Sequence, residues 1–136
     1  MRRLAVTAFI ALLIAAPSRK SEAQNVGAQA QIAGMWRGNS ECVLKNGACH
    51  DEINVYRFSE ITARPGWFSG AGSKVVNGEE ISMGTLEWQY DATSHILKSE
   101  SPHGTFRFVV DNEKMDGTLF LPDTTIYRRI HLAKAK

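Results

Sequence analysis

The sequence predicts an all-β fold: an eight-stranded antiparallel up-and-down β-barrel after a cleaved N-terminal signal peptide. Three observations carry this expectation. Beyond residue 23 no stretch repeats its apolar residues with the helical period. Turn-forming clusters instead recur about every 8–14 residues. The runs between them are rich in β-branched and aromatic residues and alternate in polarity, as half-buried strands do.

The expected strands follow in order. Met35–Leu44 is closed by Lys45-Asn46-Gly47, and Glu52–Thr62 by Arg64-Pro65-Gly66. Trp67–Val76 ends at Asn77-Gly78, a dipeptide suited to the two-residue turn of a hairpin. Glu80–Tyr90 runs to Asp91-Ala92-Thr93-Ser94, and His95–Ser101 to Pro102-His103-Gly104. Thr105–Val110, Met115–Leu121 and Thr124–Leu132 complete the set. In the fourth run Leu86, Trp88 and Tyr90 share one face while Ile81 and Met83 share the other, so a bulge is expected at Gly84. In the sixth, Phe106, Phe108 and Val110 share a face; in the last, Ile126, Arg128, Ile130 and Leu132 do. Hairpin-length links favour a meander, and closing it into a barrel removes the two exposed edges.

Residues 1–23 have the parts of a secretory signal: Arg2 and Arg3, an apolar stretch Leu4–Ala16, and small residues at Ser21 and Ala23. The apolar stretch is too short to span a bilayer as a helix, so no stable membrane anchor is expected. The expected organisation is a signal peptide (1–23), a flexible Ala/Gln-rich arm (24–31) and a barrel domain (32–136). The expected location is periplasmic or secreted. The whole chain has formal charge +2, but residues 1–23 hold four of its 16 basic residues and one of its 14 acidic ones. The remainder is net −1, and nothing in it supplies the basic face that nucleic acid requires.

Cys42 and Cys49 flank Asn46-Gly47. In an exported chain a disulfide is the stronger reading. Metal binding with His50 and Asp51 is the alternative, although the spacing is not that of a zinc site.

Gly34-Met35-Trp36, at the head of eight successive strands, resembles the Gly-x-Trp opening of the lipocalin and wider calycin barrels. That resemblance implies that Trp36 plugs one end and that an arginine of the last strand packs across it; by phase this is Arg128. The stretches Trp36-Arg37-Gly38, Cys49-His50-Asp51-Glu52, Met83-Gly84-Thr85-Leu86-Glu87 and Met115-Asp116-Gly117-Thr118-Leu119 are similar to a group of small bacterial secreted proteins of unassigned activity. This second resemblance implies a barrel and export, and implies no chemistry.

No Gly-x-Ser-x-Gly elbow, phosphate loop or three-ligand metal pattern is present. His50-Asp51-Glu52 is the densest titratable cluster but follows a turn, where polar residues are ordinary. The chain therefore reads as a non-enzyme, with no catalytic residue, cofactor or metal expected. The aromatic faces suggest a cup for a small apolar or aromatic ligand, with Tyr56, Phe58, Trp88, Tyr90, Phe106 and Phe108 as lining. The alternative is an interaction module, such as an inhibitor of an exported hydrolase or an envelope partner, anchored by Trp67 and Phe68 near the Arg64-Pro65-Gly66 turn.

Overall fold

The structure, a computed structural model, describes residues 26, 27, 29–45 and 47–136. The signal-peptide reading of residues 1–23 lies outside the described residues. Eight strands follow one another: β1 Gly34–Cys42, β2 Glu52–Glu60, β3 Trp67–Val76, β4 Glu79–Asp91, β5 Ile96–Ser101, β6 Gly104–Asp111, β7 Lys114–Phe120 and β8 Ile126–Lys134. Each pairs antiparallel with its sequence neighbours, and β8 returns to β1 to close the barrel. This is the predicted fold, and its up-and-down topology is that of a lipocalin-like barrel.

Local chemistry explains the turns. Asn77 and Gly78 both take positive φ, 51° and 83°, the pair of conformations that a type I′ hairpin needs. The β3–β4 register shifts at Gly72/Ser73, opposite Gly84 (φ 102°), so the change of face read around Gly84 is a bulge. The even-numbered residues of β1, β2 and β6 and the odd-numbered residues of β7 form the inward row. Trp36, Phe58, Phe68, Trp88, Leu97, Phe108, Met115 and Ile130 make up the bulk of the core. Packing there is close: a Cβ on Gly117 would stand 1.9 Å from Cδ1 of Phe108, so the ring occupies space that any other residue would fill.

One end of the barrel is capped by residues 29–32, which are helical. Ile32 is wholly buried, and the Trp36 Nε1–H donates to its carbonyl at 2.9 Å. The Gln29 amide donates to the Glu60 carboxylate, and the Tyr90 hydroxyl donates to Gln31 Oε1 at 3.1 Å. Part of the segment read as a flexible arm over 24–31 is therefore tied to the barrel, because its side chains and carbonyls pair with groups at the rim.

The expected contact of Arg128 with Trp36 is corrected. The cation over the Trp36 ring is Lys134, its Nζ 5.5 Å from the centroid. The β1–β8 register places Lys134 beside Trp36 and Arg128 beside Cys42, at the opposite end. Arg128 does face inward, as its phase required. There its Nη1 donates to the Ser40 carbonyl (3.3 Å) and hydroxyl (3.2 Å), and its Nη2 to the His50 carbonyl at 3.0 Å. Glu52 lies 3.7 Å away and accepts from the Asn54 amide.

The Cys42–Cys49 disulfide is formed. Asp51 accepts from the Cys42 backbone N–H at 2.7 Å. The His50-Asp51-Glu52 cluster thus organises the β1–β2 connection. Among the described residues no three His, Cys, Asp or Glu side chains converge as metal ligands.

Candidate functional site

The inner faces of β2, β4 and β6 bring five aromatic rings together. Trp88 lies 5.4 Å from Phe58, 5.9 Å from Tyr56, 5.3 Å from Phe106 and 5.5 Å from Phe108, centroid to centroid. Phe58 and Phe108 are buried within this cluster and serve as core. Tyr56 and Trp88 are buried as well, but together with Phe106 they also back a cavity of 270 Å³. Tyr90, the remaining expected lining residue, lies at the capped end with Gln31 and His95 and does not reach the cavity. The structure thus brings three of the six named residues to one space.

Sequence reasoning missed the remainder of the wall: Gly70, Gly72, Met83 to Leu86 and the β5–β6 turn at Ser101 and His103. Gly70 and Gly72 offered a signal, since glycine within a strand often marks a bend or a close approach. A Cβ on Gly70 would lie 2.5 Å from Trp88 Nε1 and 2.7 Å from a Phe58 ring carbon. The bare backbone there is what allows the indole its place.

Besides Thr85, Ser101 and His103, two polar groups belong to the aromatic side of this wall. Burial pushes the Tyr56 phenol well above its ordinary pKa, the negative charge of Glu52 adds to that, and Arg128 opposes it. Tyr56 therefore stays a neutral hydroxyl at any ordinary pH. The second group is the Trp88 Nε1–H. Among the described residues it is the one buried side-chain polar atom with no hydrogen-bond partner. Such an orphan costs about 1–3 kcal/mol relative to a paired donor.

The wall is split beside this cavity. β4 has thirteen residues, yet it pairs with β5 only through Gln89↔Lys98, Tyr90↔Leu97 and Asp91↔Ile96. Continued in register, the ladder would set Glu87 directly opposite Glu100, and like charges in that position destabilise a pair of strands. Each carboxylate turns instead to a cation: Glu87 to Arg64 at 2.8 Å, and Glu100 to Lys98. A side chain stands in for the next ladder bond, the Ser99 hydroxyl donating to the Glu87 carbonyl at 2.7 Å. On the outer face of the split lies a cleft of 530 Å³ whose lining includes Trp67, Gln89, Lys98 and Pro102. Thr85, Leu86 and Ser101 line both this cleft and the inner cavity.

The pair of aromatics considered as an exposed anchor is not displayed together. Phe68 is wholly buried, and Trp67 is half-buried under the Arg64 guanidinium, 3.9 Å from the ring centroid.

No protein-family model matches this chain, and no characterised protein matches it in sequence.

Proposed function

We propose that the chain is an exported, non-enzymatic barrel that binds a small apolar or aromatic molecule. The observation that carries this reading is the apolar cavity itself, walled by Tyr56, Met83, Leu86 and Phe106 and backed by the wholly buried Trp88. Tyr56, Leu86 and Phe106 would shield the apolar body of such a ligand from water. The volume of 270 Å³ sets the size class below that of a drug-sized ligand.

Export rests on the leader-like N-terminus together with the disulfide, a bond that persists in oxidising compartments. Among the described residues no helix is long and apolar enough to cross a membrane. Kinship with the small bacterial secreted barrels belongs to the same proposal.

The test is a titration with 2-octanone followed through the indole N–H resonances in NMR. Binding is expected to move the Trp88 resonance, because the indole backs the cavity, and Leu86→Ser, which puts a hydroxyl into the apolar wall, is expected to weaken binding about tenfold. An unmoved Trp88 resonance, with no ligand retained by native mass spectrometry of protein taken from its source compartment, would refute the reading.

A further inference from the structure

We infer that the ligand reaches its cavity through the barrel wall, between β4 and β5, and that it is an amphiphile: its apolar part lies inside against Trp88, and its uncharged polar part stays in the outer cleft. This rests on the binding reading above and adds to it a route and a chemical class.

Three independent features support the route. The end of the barrel nearest the cavity is occupied on its β1–β2–β8 side. There Arg128 is held by Ser40, His50 and Glu52, and His50 directly follows the disulfide-bonded Cys49. A molecule passing end-on along that side would have to break this partly buried polar cluster. The wall between β4 and β5, by contrast, lacks ladder bonds beyond Gln89↔Lys98. It is closed there by the Ser99 hydroxyl on the Glu87 carbonyl, a contact that can part without exposing a strand of unpaired backbone. Finally, Thr85, Leu86 and Ser101 line the spaces on both sides, so the cavity and the cleft are two faces of one opening.

The chemical class follows from the contrast between the two spaces. The inner one is walled mainly by Tyr56, Met83, Leu86, Trp88 and Phe106, with Thr85, Ser101 and His103 as its polar members. The outer one carries Glu87, Gln89, Lys98, Glu100 and Ser101. Its charges are of both signs and are engaged with neighbours, Glu87 with Arg64 and Lys98 with Glu100. That lining suits hydroxyl or amide groups better than a net charge. A purely apolar ligand would leave the cleft to water, and a purely polar one would not enter among the rings.

The test compares octyl glucoside, kept below its micelle-forming concentration, with 2-octanone by NMR on the intact protein. Octyl glucoside is expected to move the Trp88 indole resonance together with the backbone amides of Thr85, Glu87, Lys98 and Glu100; 2-octanone is expected to move the indole without those amides. Thr85→Trp, which fills the passage from its exposed side, should weaken octyl glucoside at least tenfold. Ser99→Ala, a buried and conservative change that serves independently of how Thr85→Trp folds, should speed exchange of octyl glucoside several-fold in line-shape analysis. Unchanged exchange in Ser99→Ala, unchanged affinity in a folded Thr85→Trp, or shifts centred on Ser40 and His50 would overturn the lateral route. If 2-octanone binds and octyl glucoside does not, the route and class fall while the binding reading stands. If neither moves the indole, both fall.

Discussion

Lys134 joins the two ends of the described chain. Its Nζ lies 5.5 Å from the centroid of the Trp36 ring and donates to the carbonyls of Ala30 and Gln31 at 2.8 and 3.0 Å. The last strand thereby holds the helical cap over the barrel end, and one ammonium satisfies two carbonyls while facing an indole.

Lys134→Met keeps the apolar stem and removes the charge and both donated bonds. It is expected to cost about 1–2 kcal/mol of stability in urea unfolding. Amide exchange at residues 29–33 should accelerate more than exchange in the strands, because the cap opens before the barrel does.

Arg128 and Glu52 are a mostly buried ion pair, with side-chain exposures of 11% and 19%. Arg128→Met leaves Glu52 without its cation in a site of limited solvation. A loss of about 3 kcal/mol is expected. Combining it with Glu52→Gln should recover part of that loss, and a double-mutant cycle by denaturant titration measures the coupling.

The disulfide closes a short loop, its cysteines seven positions apart. Replacing both by serine is expected to lower stability by about 2.5 kcal/mol through the added freedom of the unfolded chain. The His50 carbonyl that anchors Arg128 lies next to Cys49, so loosening this segment should also broaden the Arg128 guanidinium resonance in NMR.

Glu80 on the outer wall is pushed down to about 2 from its ordinary 4.5, first by hydrogen bonding to Arg57, then by the Ser73 hydroxyl, with the nearby positive charges of Arg57 and Arg37 adding. The two Arg57 bonds are 2.7 and 2.9 Å, and that of Ser73 is 2.8 Å. A carboxyl whose folded pKa is depressed contributes stability above its unfolded value and loses it as pH falls through the folded one. The contribution of Glu80 should thus be complete above about pH 5 and fade toward pH 2. Glu80→Gln should flatten the acid limb of stability over that range. Arg57→Gln should move the Glu80 carboxyl, followed by ¹³C NMR, back toward the ordinary value.

Much of the fold was legible because its signals are local. Asn77-Gly78 named its own turn, since both residues tolerate positive φ. The alternation of Phe106, Phe108 and Val110 assigned the inward face of β6, and the phase of β8 turned Arg128 inward. Among the site residues, Tyr56, Trp88 and Phe106 followed from the same pattern. Tyr90 shares its face with Trp88 yet lies outside the cavity, because phase says which face a residue occupies and not how far along the barrel it stands.

That distinction separates what sequence alone determined from what the tertiary structure decided. Strand order, turns, inward faces and the candidate pairing of Cys42 with Cys49 all depend on residues close together in the chain. The height of Arg128 against Trp36 depends on how β8 closes onto β1. The observed register sets Arg128 opposite Cys42, six positions along β1 from Trp36 and about 20 Å away. The opening beside Trp88 is of the same kind. It arises where two strands would have set Glu87 against Glu100, a meeting that no single strand records and that only the paired sheet brings about.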